Sequence, residues 1–191
     1  MRSPTQFIIR PVGGRRYDNI KKFGDVEFII SSSQEDHTVA NRHGIVVALP
    51  LRYEGPITVG DTLLVHHNVF KKYYDMGGRE KSGPCHFRGD LFMVEEDQFF
   101  LYNHGGTWKT HSRYCFVRPL ANENCSIFNL NIEDNRESPL VGEMVYCNEE
   151  LESLGIFAGD TIGFQPHSEY PFTIEGEVLY RMFTRNICIK I

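Results

Sequence analysis

The chain has 191 residues, a hydrophobic fraction of 41% and a formal net charge of −5. That length allows one or two domains, and the acidic balance argues against a nucleic-acid binder, which would show a basic face. No stretch approaches the ~18 apolar residues a membrane span requires. Met1–Gln6 lacks an apolar core of signal length, so an unexported, cytoplasmic protein with no membrane partner is expected.

In chain order, Phe7–Arg10 is a short apolar run stopped by Pro11. Proline has no amide hydrogen for a ladder, so it marks a strand end or an edge. Residues 13–25 are basic and poorly patterned, and read as loop. Val26-Glu27-Phe28-Ile29-Ile30 gathers four apolar residues just before Ser31–Asp36. Two readings stand: a buried strand beginning at Val26, or an exposed apolar grip on a mobile loop. Gly44–Leu49 and Thr62–Val65 are β-rich, and the second is reached through Gly60-Asp61. Glycine supplies positive φ and aspartate bonds nearby amides, so that step is a turn. Residues 70–87 interrupt the pattern with Gly, Lys, Arg and Pro. Leu91–Val94 and Phe99–Tyr102 then flank Glu95–Gln98, as strand, acidic turn and strand. Residues 105–113 read as a linker, with Trp108 expected to pin it to one of the domains.

In the second half, Val141–Tyr146 reads as a strand, Glu149–Gly155 as one helical turn, and Ile162–Gln165 as the strand after Gly159-Asp160. Phe172–Ile174, Val178–Met182 and Ile187–Ile191 supply three more. The last alternates apolar and polar, as a half-buried strand does. No long 3.6-period segment appears. Short strands with Gly, Pro and Asp punctuation argue for small all-β barrels.

The chain says nearly everything twice. Phe7–Val12, His43–Val47, Val59–Leu63 and Arg88–Phe92 carry landmarks that recur in order as Cys115–Leu120, Val141–Val145, Ala158–Ile162 and Glu175–Tyr180. Self-similarity at this scale signals a duplicated fold.

These residues resemble the GroES (chaperonin-10) co-chaperonin family. The resemblance rests on Arg118-Pro119-Leu120, Gly142-Glu143-Met144-Val145, Gly159-Asp160-Thr161-Ile162, Glu175-Gly176-Glu177-Val178-Leu179-Tyr180 and the closing Ile187–Ile191, with a second, looser copy in the first half. It implies an all-β fold of two tandem, partly open β-barrels: repeat one at 1–104 with its insertion 70–87, the linker 105–113, and repeat two at 114–191. It implies a homo-oligomeric ring that caps a chaperonin (GroEL-like) cylinder. It also implies a mobile loop in each repeat, whose apolar residues dock on chaperonin apical domains. The matching residues are Phe28, Ile29 and Ile30 in repeat one, and Ile127, Phe128 and Leu130 in repeat two. The gaps Val47–Val59 and Tyr146–Ala158 are too short for the roof hairpin many members carry. Phage members also lack it, so a viral origin fits. The alternative is a virion capsid or tail protein reusing the barrel.

No cofactor, metal site or catalytic residue is expected, and the protein reads as a non-enzyme. Gly77–Gly83 departs from a phosphate loop because Glu80 stands where glycine must precede Lys-Ser. His66 and His67 are expected to point to opposite strand faces and so not to chelate together. The five cysteines are odd in number and never paired as CxxC, which suits reduced thiols.

Overall fold

The computed structural model describes residues 2–17, 20–23, 26–29, 39–121 and 137–191, with the backbone alone for 20–23, 26–29, 121 and 137–139. The chain divides into two compact units, residues 1–108 and 109–191. Both are built mostly of β-strands, with one α-helix among the described residues.

Unit one contains β1 (Phe7–Pro11), β2 (Ile20–Phe23), β3 (Val26–Ile29), β4 (His43–Ala48), β5 (Thr62–Val65), β6 (Lys72–Tyr74), β7 (Glu80–Ser82), β8 (His86–Arg88), β9 (Leu91–Val94), β10 (Phe99–His104) and β11 (Thr107–Thr110), the last ending just past the unit boundary. Unit two contains β12 (Tyr114–Ala121), β13 (Glu137–Tyr146), α1 (Glu149–Ser153), β14 (Thr161–Phe164), β15 (Tyr170–Ile174), β16 (Glu177–Phe183) and β17 (Ile187–Lys190).

The two main sheets repeat one plan. In unit one the order is β11-β10-β5-β4-β1-β9-β8, and in unit two, read from its other edge, β17-β14-β13-β12-β16-β15. Six strands correspond one to one, and β11 is an additional edge strand in unit one. The register repeats as well. Ile9 faces Val46, Arg10 faces Ile45 and Pro11 faces Gly44. Val117 faces Met144, Arg118 faces Glu143 and Pro119 faces Gly142. Each ladder shifts register at the same place, between Ile8 and Ile9 and between Phe116 and Val117. Neither sheet closes on itself among the described residues, since β11 and β8, and β17 and β15, are edges.

The turn before β5 and β14 is the same object twice. Gly60 and Gly159 hold φ of 100° and 91°, which glycine adopts without the Cβ penalty. Their amides donate to Val46 and Met144. Asp61 and Asp160 each accept from a backbone amide three residues back, Thr58 and Phe157, at 2.7 Å. A short polar side chain thereby replaces a ladder partner.

Each unit has its own core. Unit one packs Phe7, Ile9, Val46, Ile57, Leu63, Val65, Phe70, Phe92 and Phe99, with edge-to-face contacts such as Phe70–Phe92 at 4.8 Å. Unit two packs Cys115, Val117, Met144, Leu151, Ile162, Phe164 and Met182. Helix α1 is capped by Asn148, whose Oδ1 accepts from the Leu151 amide at 2.9 Å.

Several expectations are corrected. Residues 13–25 contain β2, which pairs with β3 as a hairpin. β9 and β10 flank the acidic connection as expected. β9 pairs with β1, and β10 pairs with β5. Segment 105–113 is more than a linker, because β11 joins the first sheet through the Gly105-Gly106 turn. Trp108 lies on β11 against His43, rings 6.0 Å apart. β17 is more exposed than its alternation implies: Ile189 is 59% accessible, and Ile191, just after the strand, is 68% accessible. The cause is its place at the sheet edge. His66 and His67 lie just past β5, where strand alternation has ended, and their rings stack 4.1 Å apart.

Candidate partner-binding site

The candidate residues fall on the two connections that follow the first strand of each plan, β1 to β4 and β12 to β13. Phe28 and Ile29 lie on β3, opposite Lys21 and Ile20 of β2. A strand does begin at Val26. Ile30, Ile127, Phe128 and Leu130 lie outside the described residues.

The stem of the first connection is held by a polar side chain buried at its base. Asn41 is 3% exposed. Its side-chain amide donates to the carbonyls of Val12 at 3.0 Å and Arg15 at 2.7 Å. Its Oδ1 accepts from the His43 amide at 2.9 Å, and its own amide donates to the Arg16 carbonyl at 3.0 Å. A buried amide satisfied this fully fixes where the chain leaves β1 and returns to β4.

The insertion docks on the same stem. Within 70–87, β6 and β7 form a hairpin. Arg16 Nη1 donates to Ser82 Oγ at 2.7 Å, and the Lys72 amide donates to the Tyr17 hydroxyl at 2.8 Å. The Arg16 guanidinium also lies over the Phe92 ring at 4.8 Å. Partial burial lowers its pKa, while the Glu80 carboxylate opposes that shift. The hairpin tip is an Asp75 turn, in which Oδ1 accepts from the Gly77 and Arg79 amides, both at 2.9 Å.

The stem of the second connection has no such insertion. There the ladder itself runs on, to Ala121 opposite Glu137. Arg118 spans three strands: it donates to Glu143 of β13 at 2.7 Å and to both carboxylate oxygens of Glu177 on β16. Those hydrogen bonds hold the Glu177 carboxyl below its usual range and push the guanidinium up. Leu140, on β13, adopts φ 62°, a left-handed conformation unusual for a side chain of its size.

No protein-family model matches the chain, and no curated protein matches it. The geometry therefore stands by itself. Among the described residues no group of three His, Cys, Asp or Glu is placed to hold a metal, and no helix is long and apolar enough to cross a membrane. Apolar runs mark Phe28 and Ile29 in the sequence, whereas nothing there marks the anchors Asn41, Arg16, Tyr17 and Ser82. Each is a single polar residue with no spacing signal, and only the fold brings residues 16 and 82 together.

Proposed function

We propose that the chain is a tandem co-chaperonin of the GroES type. In this reading its two units are partly open β-barrels, and a homo-oligomeric ring of chains caps a GroEL-like chaperonin to assist folding inside it. The grip consists of Phe28, Ile29 and Ile30 in the first connection and Ile127, Phe128 and Leu130 in the second. One observation carries the reading. The six-strand plan occurs twice with the same register, and in both copies the family-like landmarks lead into a connection that bears an apolar triplet.

The energetics suit a removable lid. Burying a large aliphatic or aromatic side chain contributes about 1.5–3 kcal/mol. Ordering the connection offsets much of that, so a single grip is weak. Several grips engaged at once bind through avidity, and they release together when the partner's grooves rearrange.

The test is a variant with Phe28, Ile29 and Ile30 all changed to Ser. Chaperonin binding is expected to be lost while the thermal unfolding curve stays in place. If the variant unfolds, these side chains are core and the assignment of the grip is wrong. Binding that survives in a folded variant would move the grip to the second connection or end the reading. Association with virion proteins and indifference to chaperonin would instead support a capsid or tail component.

A further inference from the structure

Cys115 lies on β12, and Cys147 directly follows β13. The ladder reaches this pair from one side, and a side-chain hydrogen bond ties the two segments on the other. Phe116 is opposite Tyr146, and on the other side the Asn148 side-chain amide donates to the Tyr114 carbonyl at 3.1 Å. Continuing the antiparallel register between those two points sets Cys147 opposite Cys115. The Phe116 and Tyr146 rings meet on one face, 6.2 Å apart. Alternation along β12 turns Cys115 to the other face, and Cys147, one residue past β13, packs with it into the cluster around Val117, Met144 and Leu151. Opposed residues of an antiparallel ladder sit about 4.5 or 5.5 Å apart at Cα, according to the class of pair. Both separations fall within the roughly 4.4–6.8 Å that a disulfide spans.

Unit one supplies an internal comparison. Phe7 and Leu49 occupy the corresponding positions, and they too pack in one cluster. The plan thus places these two side chains in one cluster in each unit, but only unit two makes them cysteines. Both thiols are free in this structure.

We propose that Cys115 and Cys147 are a latent cross-strand disulfide site, closed by exchange with a low-molecular-weight disulfide. Cys147 is half-buried and Cys115 fully buried, so Cys147 reacts first. Its thiolate attacks one sulfur of the small disulfide, a mixed disulfide forms, and the first small thiolate leaves and takes up a proton. Cys115 then loses its proton and displaces the second small thiolate from Cys147. One small disulfide is reduced to two thiols, and the protein loses two hydrogens and gains one S–S bond. Burial pushes the Cys115 thiol up to about 12 and raises that of Cys147. Exchange is therefore slow at neutral pH and quickens as pH rises, because the thiolate is the nucleophile. The inference is independent of the co-chaperonin reading.

The experiment incubates the full chain with oxidised glutathione at neutral and alkaline pH, alkylates the remaining thiols, and maps non-reduced peptides by mass spectrometry. The exposed Cys188 serves as a marker and should carry glutathione. The expected result is a linked Cys115–Cys147 peptide, formed faster at the higher pH, with an unfolding midpoint that rises and returns on reduction. The proposal is overturned if Cys115 and Cys147 are recovered alkylated while Cys188 is modified, or if either is linked elsewhere. A Cys147→Ser variant must also lose the rise in midpoint, and a rise that persists there contradicts the assignment.

Discussion

Gly142 shows how one residue carries the plan. A Cβ at this position would meet the Val117 side chain and would lie 2.7 Å from the Arg118 carbonyl oxygen. At its counterpart Gly44, the Cβ would lie 2.5 Å from Ile9 Cδ1, the far end of a flexible side chain. Backbone cannot yield as a methyl can. We expect Gly142→Ala to cost about 1–3 kcal/mol in urea unfolding, in the range of overpacked sites, and Gly44→Ala to cost less. Equal costs would contradict this account of the close approach. Arg118 makes a second prediction. Its hydrogen bonds hold the Glu177 carboxyl below the usual carboxylate range. The stability from this pair is therefore fully present above the unfolded value, about 4.3, and is lost as pH falls through the folded value. Both side chains are more than a third exposed, so the effect is small and salt-screened. Glu177→Gln should reduce the acid dependence of the unfolding midpoint at low salt, and should change it little at high salt.

At the scale of elements, local chemistry was legible and distant pairing was not. Gly60-Asp61 and Gly159-Asp160 could be read as turns because their physics is confined to a few residues. Asp61→Ala leaves the Thr58 amide without its acceptor. A cost of about 1–3 kcal/mol is expected in thermal or denaturant unfolding. The strands β9 and β10 were equally visible, but nothing local marks their partners, and each pairs with a strand far away in sequence. The same limit hid the docking of the insertion on the stem of the first connection. Tyr17→Phe removes the acceptor for the Lys72 amide, and should lower stability by about 0.5–1.5 kcal/mol. It should also raise hydrogen exchange at that amide. Unchanged exchange there would show that the hairpin does not depend on the stem.

At the scale of the whole molecule, the duplication was visible as repeated landmarks, and the shared strand order and register give it structural form. Each unit has its own core, and residues 109–191 gather theirs from β12, β13, α1, β14 and β16. That size falls within the domain range, so the fragment 109–191 is expected to fold alone, with a β-rich circular dichroism spectrum and a cooperative melt. The candidate grip was legible only as apolar runs in polar surroundings: Phe28 and Ile29 lie on β3, and the other four residues lie outside the described part of the chain. The most direct test of the co-chaperonin reading is co-sedimentation of the purified chain with a bacterial chaperonin, with and without ATP. The account predicts that the chain pellets with the chaperonin when nucleotide is present and stays in solution without it. A chain that remains in solution in both states, with chaperonins from several bacteria, would contradict it.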